Sequence, residues 1–336
     1  MKKTAFLIFA ALLVTGIIVW RLPGEQPERE ETTTAIETNG VTKEEDKRRS
    51  FIRMKGLAEE QVLEELGEPD RQDLSEYGYV WWVYESKPGE LFQLGMADGK
   101  VVTGVIFHKE EGDVRVGDRI EDVRQKFSIE DTFPVDSEGA YTMHLTEKDR
   151  NERPLIALDD KWSAQLYVDN VTEKVFAIRM IRNDFLLKHQ PYKVLYRGTL
   201  PKMELLSKQD WLNIQKGMQK QIMTITNDLR VKNELPVLTY HQDAAEVAFS
   251  HSRDMNENNY FSHYSQNGDG LKERLGGIEY KKAGENIAAQ YPDAVAAIHG
   301  WINSPGHRKA LLDSEYTHLG VGVYKRYYTQ NFLTLP

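Results

Sequence analysis

The chain has 336 residues, of which 40% are hydrophobic and 28% charged, and its formal net charge is −9. Length allows two domains, composition is globular, and the negative balance excludes a general nucleic-acid binder, which needs a basic field to neutralise phosphates. Cysteine is absent. That excludes thiol catalysis, disulfides and thiolate metal sites, so any metal ligands must come from His, Asp, Glu or backbone oxygen.

Lys2 and Lys3 precede an apolar run from Ala5 to Trp20, and Arg21 closes it. This is the form of a signal peptide or signal anchor. No Ala-x-Ala cleavage site follows, and Trp20 stands where an interfacial anchor would. The reading favours an uncleaved anchor over residues 1–21, with a cleaved signal as the alternative. The basic N-terminal end stays cytoplasmic, so the remainder is expected outside, held at the outer face of the membrane or secreted after cleavage. Residues 22–50 are rich in Glu, Thr, Lys and Arg and poor in large apolar side chains. Such a segment buries too little surface to offset its ordering entropy and is expected to be a disordered tether.

From Phe51 the pattern changes. Leu57, Val62, Leu63 and Leu66 fall at helical spacing before Gly67 and Pro69. Strand-like runs start at Tyr79, Leu91 and Val101, and Asp98-Gly99 between the last two signals a hairpin. The pattern then recurs. Gly117, Val123 and Phe127 repeat the spacing of Gly56, Val62 and Leu66, and the runs AYTMHL, PLIALD, SAQLYVD and KVFAIRMI follow, with a turn at Asp169-Asn170. Residues 51–183 therefore read as one α+β domain of two helix-plus-strands repeats. Trp81 and Trp82 point to opposite faces of one strand, so one is expected in the core and the other under a partner or the second domain. His108 and His144 are expected to be solvent-facing or internally satisfied.

Residues 184–209 read as a connector containing Pro191 and Pro201. A long helix is expected from Asp210, a good N-cap, with Trp211, Ile214, Met218, Ile222, Ile225 and Leu229 as its apolar stripe. A second helix follows Asp243, with His251 on its inward face. A third spans YPDAVAAIHGWINS with Val295, Ile298 and Trp301 inward. HLGVGVYK and YYTQNFL read as late strands.

Three stretches in this last third carry chemistry: NYFSHYSQNG with His263, AGENIAAQ with Glu285 and Asn286, and WINSPGHRKALL with His307. Ser304 is a good N-cap and Pro305 suits the first helical position, which puts His307 in a first turn, where the helix dipole favours a neutral ring. As an N-cap, Ser304 is expected to spend its oxygen on backbone donors. Two histidines and one glutamate match in type the set that leaves a zinc position open. Spacing alone does not bring the three together.

Read in order, NDLRVKNELPVLTYHQDAAEVAFSHSRDM, YFSHYS, GENIA, GWINSPGHRKALL, HLGVGVY and YYTQNF resemble the CAP superfamily of cysteine-rich secretory, antigen 5 and pathogenesis-related proteins, in its cysteine-free bacterial form. The resemblance covers about residues 211–336. The repeated region before it is similar to the CAP-associated domain of membrane-anchored or exported proteins in spore-forming bacteria. The resemblance implies an α-β-α sandwich over residues 210–336, with a surface cavity that two His and two Glu line and that can hold a divalent cation. The family positions fall on His263, Glu285 and His307. The second glutamate falls on Ser304, so the set is one carboxylate short, and Asn303, Ser304 or water is left to complete the shell. Asn286 is expected to satisfy loop backbone groups, and Arg308 to pair with a nearby carboxylate.

The function expected on this basis is an exported, non-catalytic CAP protein. Its cavity, built from His263, Glu285, His307, Ser304 and Asn286, would take a divalent cation (Zn, Ca or Mg, on His263, His307 and Glu285) or a small-molecule, lipid or envelope ligand. Two alternatives stand beside it: a metal-dependent, peptidase-like hydrolase acting on cell-envelope material, and a protein-docking role for the N-terminal repeats.

Overall fold

The computed structural model describes residues 51–86, 89–110, 112–137 and 139–336. The expected anchor and tether lie outside these described residues. Among the described residues, no helix is long and apolar enough to cross a membrane.

The N-terminal half consists of two like units. The first has helix α1 (Glu59–Leu66) and strands β1 (Arg71–Leu74), β2 (Val80–Tyr84), β3 (Phe92–Ala97) and β4 (Lys100–Ile106). The second has α2 (Ile120–Lys126), β5 (Thr132–Ser137), β6 (Gly139–His144), α3 (Glu147–Glu152), β7 (Leu155–Ala157), β8 (Trp162–Asp169) and β9 (Lys174–Arg182). Seven strands form one antiparallel sheet in the order β1-β2-β3-β4-β9-β8-β7. The repeat extends to individual hydrogen bonds. Gly56 and Gly117 both take a left-handed backbone, with φ of +70° and +91°. Two residues on, Ala58 bridges Lys100 and Arg119 bridges Lys174. Val101 N donates to Leu57 O, and Val175 N to Asp118 O, each at 2.9 Å. Each small helix is thereby tied to the last hairpin of its own unit. The Asp98-Gly99 turn has both residues at positive φ, as a two-residue hairpin requires.

Two parts of this half differ from the sequence expectation. Strand β5 contains Pro134, which lowers its strand signal; it lies at the edge of a three-stranded sheet, β10-β6-β5, where a missing N–H is tolerated. The segment expected as a connector contains helix α4 (Asn183–His189) and strand β10 (Lys193–Arg197), which pairs with β6.

The C-terminal half has helices α5 (Lys208–Lys232), α6 (Gln242–Glu257), α7 (Leu271–Arg274), α8 (Ala294–Ile302) and α9 (Pro305–Leu311). Its sheet has the order β11-β13-β14-β12, from Thr239–Tyr240, His318–Tyr324, Tyr327–Thr334 and Lys282–Ala289 respectively. The cap of helix α5 lies three residues before the expected one. Ser207 is the N-cap and Asp210 closes a capping box: Asp210 N donates to Ser207 Oγ at 3.1 Å, and Ser207 N to Asp210 Oδ2 at 2.9 Å. Helix α6 is capped by His241, whose Nδ1 accepts from Ala244 N at 3.2 Å.

Strand β13 shows how the layers form. In HLGVGVY, Leu319, Val321 and Val323 fill the core on one face with Ile214, Ile222 and Ile225 of α5. Gly320 and Gly322 lie on the other face, where α6 rests directly on the strand. A Cβ on Gly322 would come within 1.9 Å of Phe249 N, and one on Gly320 within 2.3 Å of Ala244 C. Helix α6 thus covers one side of the sheet, while α5 and α8 pack together on the other.

The two halves share a core. Trp82 packs with Val62 and Val123 on one face of the seven-stranded sheet. Trp81, on the opposite face, belongs to the cluster that contains Ile214, Ile298 and Trp301. Two ion pairs reinforce this contact: Arg179–Asp293 at 2.5 Å, with both side chains buried, and Arg326–Glu76 at 3.0 Å.

Candidate functional site

Strand β12 is one of the two edge strands of the C-terminal sheet, so there the layers on the two faces can meet around an edge. Its GENIA stretch alternates across the pleat. Glu285 pairs in register with Asn331, whose side chain donates to Ala244 O of α6. Asn286 pairs with Gln330, whose side chain donates to Thr226 of α5. The acid therefore faces the α6 layer and the amide faces the α5 layer.

On the α6 side, the loop after α6 brings His263 to Glu285, with Nδ1 2.8 Å from Oε1. A carboxylate oxygen there can only accept, so Nδ1 carries the proton and Nε2 keeps its lone pair while the ring is neutral. The other carboxylate oxygen, Oε2, accepts from Arg274 Nη2 at 2.5 Å. Arg274 Nη1 also donates to His263 O at 2.9 Å and Asp269 O at 3.0 Å. One arginine thus neutralises the buried carboxylate and fixes the loop that carries the histidine. His251, expected in the core, is buried, with Nε2 3.0 Å from Ser262 O. Burial lowers its pKa, against the opposing pull of Glu285.

On the α5 side, Asn286 Nδ2 donates to His307 O at 3.1 Å and to Gln330 Oε1 at 3.2 Å. This fixes the backbone that presents His307. The two imidazoles meet at the strand edge with ring centroids 6.3 Å apart. Burial lowers the His307 pKa first, and the neighbouring His263 adds to the shift. Desolvation thus favours the neutral ring, in the same direction as the first-turn position of His307. Pro305 opens α9 behind Ser304 as expected, but Ser304 makes no side-chain capping bond. Asn303 is engaged elsewhere: its Nδ2 donates to Val168 O at 2.8 Å, and its Oδ1 accepts from Asn170 N at 2.9 Å, both in the N-terminal half. Arg308 finds its carboxylate there too, donating to both oxygens of Asp169 at 2.8 and 3.0 Å.

Of the expected set, His263, Glu285 and His307 come together, with Asn286 beneath them. Among the described residues, no three His, Asp or Glu side chains are grouped to hold a metal ion. The donor chemistry explains this. Both Glu285 oxygens are engaged, and the Arg274 guanidinium adds a positive charge where a dication would sit. This arrangement offers a cation two imidazole nitrogens unless Arg274 is displaced. Sequence reasoning missed Arg274, which lies outside the motifs, and Asp169, which it read only as a turn residue. His108 is internally satisfied, with Glu110, two residues on, 3.3 Å from its Nε2 and Leu91 O 3.3 Å from its Nδ1.

An α-β-α sandwich with a histidine–glutamate cluster at its sheet edge, behind a repeated α+β half, defines the class. The chain belongs to the CAP, or cysteine-rich secretory protein, family: residues 223–335 match the model of that family and residues 56–192 match the CAP-associated N-terminal model. It is 38% identical to the uncharacterised membrane protein YlbC of Bacillus subtilis (strain 168), over 99% of both chains. It is also similar to the crystal structure of an extracellular SCP-domain protein from Bacillus anthracis str. Ames, with 35% identity, a TM-score of 0.80, and coverage of 93% of this chain and 99% of that one. A cysteine-rich secretory protein from Staphylococcus aureus shares the fold at 21% identity and a TM-score of 0.73, over 84% of this chain and 92% of that one.

Proposed function

We propose that this CAP protein is an exported binding module whose cavity takes a small ligand through hydrogen bonds to His263 Nε2 and the His307 ring. The supporting observation is the engagement of Glu285 by His263 and Arg274, which spends the acid on holding the site together. What remains for a ligand is the free side of a half-exposed imidazole and a second imidazole opposite it. The matching chemistry is a ligand that offers hydroxyl or amino hydrogens to a ring nitrogen. Export and attachment at the outer membrane face through residues 1–21 belong to the same reading. The apolar run before the tether supports it, together with a relative named a membrane protein and a structural neighbour described as extracellular.

Native mass spectrometry and elemental analysis of the full chain, purified without added metal, test the proposal. The expected result is a small organic adduct that disappears in the His263→Ala/His307→Ala double variant. A stoichiometric divalent metal in place of an adduct, or an adduct indifferent to both histidines, would refute it.

A further inference from the structure

The WINSPGHR stretch has a second set of partners. His307 is the residue in it that meets the cavity histidine. The residues around it, His299, Asn303 and Arg308, reach into the N-terminal half, all to the end of β8 and the turn that follows. Val168 O accepts from Asn303 Nδ2 at 2.8 Å and lies 2.9 Å from His299 Nε2, which is also 2.9 Å from Asn303 Nδ2. Asn170 N donates to Asn303 Oδ1 at 2.9 Å. Asp169 takes both guanidinium nitrogens of Arg308, and Arg308 Nη1 also donates to Ile302 O at 3.1 Å, closing the C-terminal end of α8. Within the C-terminal half, the turn is held by Asn286 on His307 O. Trp301 Nε1 adds a bond to Ile287 O at 2.9 Å just before the break, and the remaining bonds from the Asn303 and Arg308 side chains run mainly to the N-terminal half.

We propose that the cavity is a two-domain site: Asp169 and the Val168 carbonyl are positioning elements that set the turn carrying His307, and through it the gap between the two imidazoles. The N-terminal repeats thereby take part in the binding site without touching a ligand. Three observations argue for this over simple adhesion between halves. The bonds converge on one turn of a few residues. The Asp169–Arg308 pair is two-pronged and largely buried, the geometry that fixes orientation as well as distance. Its partner residue Arg308 follows His307 directly in sequence. A shift of the β8–β9 turn would therefore be transmitted to the cavity through a single peptide link. The inference concerns the geometry of the site and stands whether or not the ligand proposed above is correct.

The test uses the full chain and reads the turn directly. Asp169→Asn keeps an oxygen for the turn amides of Val171 and Thr172, which donate to Asp169 Oδ1 at 2.9 and 3.4 Å, and removes the negative charge that faces Arg308. Arg308→Lys removes the fork from the other side. Amide hydrogen exchange over residues 303–312 should rise roughly tenfold in both, because a charge-assisted bond is lost. The His307 ring resonance, assigned with His307→Gln, should move in both variants. Asp169→Glu should restore most of the protection. Asp184→Asn, which removes an ion pair elsewhere in the N-terminal half, should change neither readout. Two results would overturn the proposal. One is an unchanged His307 resonance and unchanged exchange in both variants. The other is an equal rise over residues 214–229 of α5, which would show general loosening in place of control of the turn.

Discussion

Glu285 is a buried acid whose charge is tolerable because Arg274 and His263 meet it on separate oxygens. Removing one partner of such a pair costs more than the pair itself is worth, because the remaining charge stays out of water. Arg274→Met should therefore destabilise the protein by about 3 kcal/mol in urea unfolding. Arg274→Lys should recover only part of this, since an ammonium cannot serve Glu285 and the loop carbonyls with one planar fork. A variant as stable as the wild type would show that Glu285 has another counterion. The histidines and Glu285 were legible only through family resemblance, because residues 22 and 44 positions apart in sequence carry no local sign of meeting. Arg274 was not legible at all. It lies in DGLKERLGG, where an arginine on a short helix looks like any solvated surface charge.

At the scale of elements, β13 was legible in detail: alternating glycines and branched residues announce a strand with one bare face and one filled face. The bare face is what lets α6 approach to backbone contact. Gly322→Ala should force the two elements apart and cost about 3 kcal/mol, at the upper end of ordinary overpacking. The backbone there is unstrained, so an unaltered melting midpoint would show that the layers have slack. The repeated N-terminal units were also legible, because each carries its glycine, helix stripe and hairpin at matching spacing. Strand β5 was obscured by Pro134, and β10 by its mostly exposed, mixed side chains, which lack the period of a buried strand. The start of α5 moved because Ser207 and Asp210 can each cap a helix, and here they act together.

At the scale of the whole molecule, the two halves are joined by buried polar groups as well as by a common core. His189 lies between Tyr79 and Arg179, with Tyr79 Oη 3.1 Å from Nε2 and Arg179 Nη1 3.1 Å from Nδ1; Arg179 continues to Asp293 across the interface. Burial, assisted by Arg179, drives the His189 pKa well below its ordinary value, and burial pushes His299 down to about 4. Both rings stay neutral in the folded protein, whereas the unfolded chain binds their protons below about pH 6.5. Their contribution is thus fully present above pH 6.5 and is lost as the pH falls, for His299 down to about pH 4, where it amounts to about 3 kcal/mol. Urea midpoints taken at pH 7.5, 5.5 and 4.5 should fall in that order, with both halves unfolding in one transition. Equal midpoints, or separate transitions for the halves, would contradict this account. The ladder between β12 and β14, which runs from Lys282↔Thr334 to Ala289↔Tyr327, matters at the same scale. Because Glu285 and Asn286 are consecutive, a slip of one residue would exchange their sides. The acid would then point at the α9 backbone and the amide at the His263 loop, leaving each histidine without its anchor. One strand register thus acts as the gauge for both walls of the site, and a single-residue insertion in β12 would dismantle them together while leaving every side chain of the site intact.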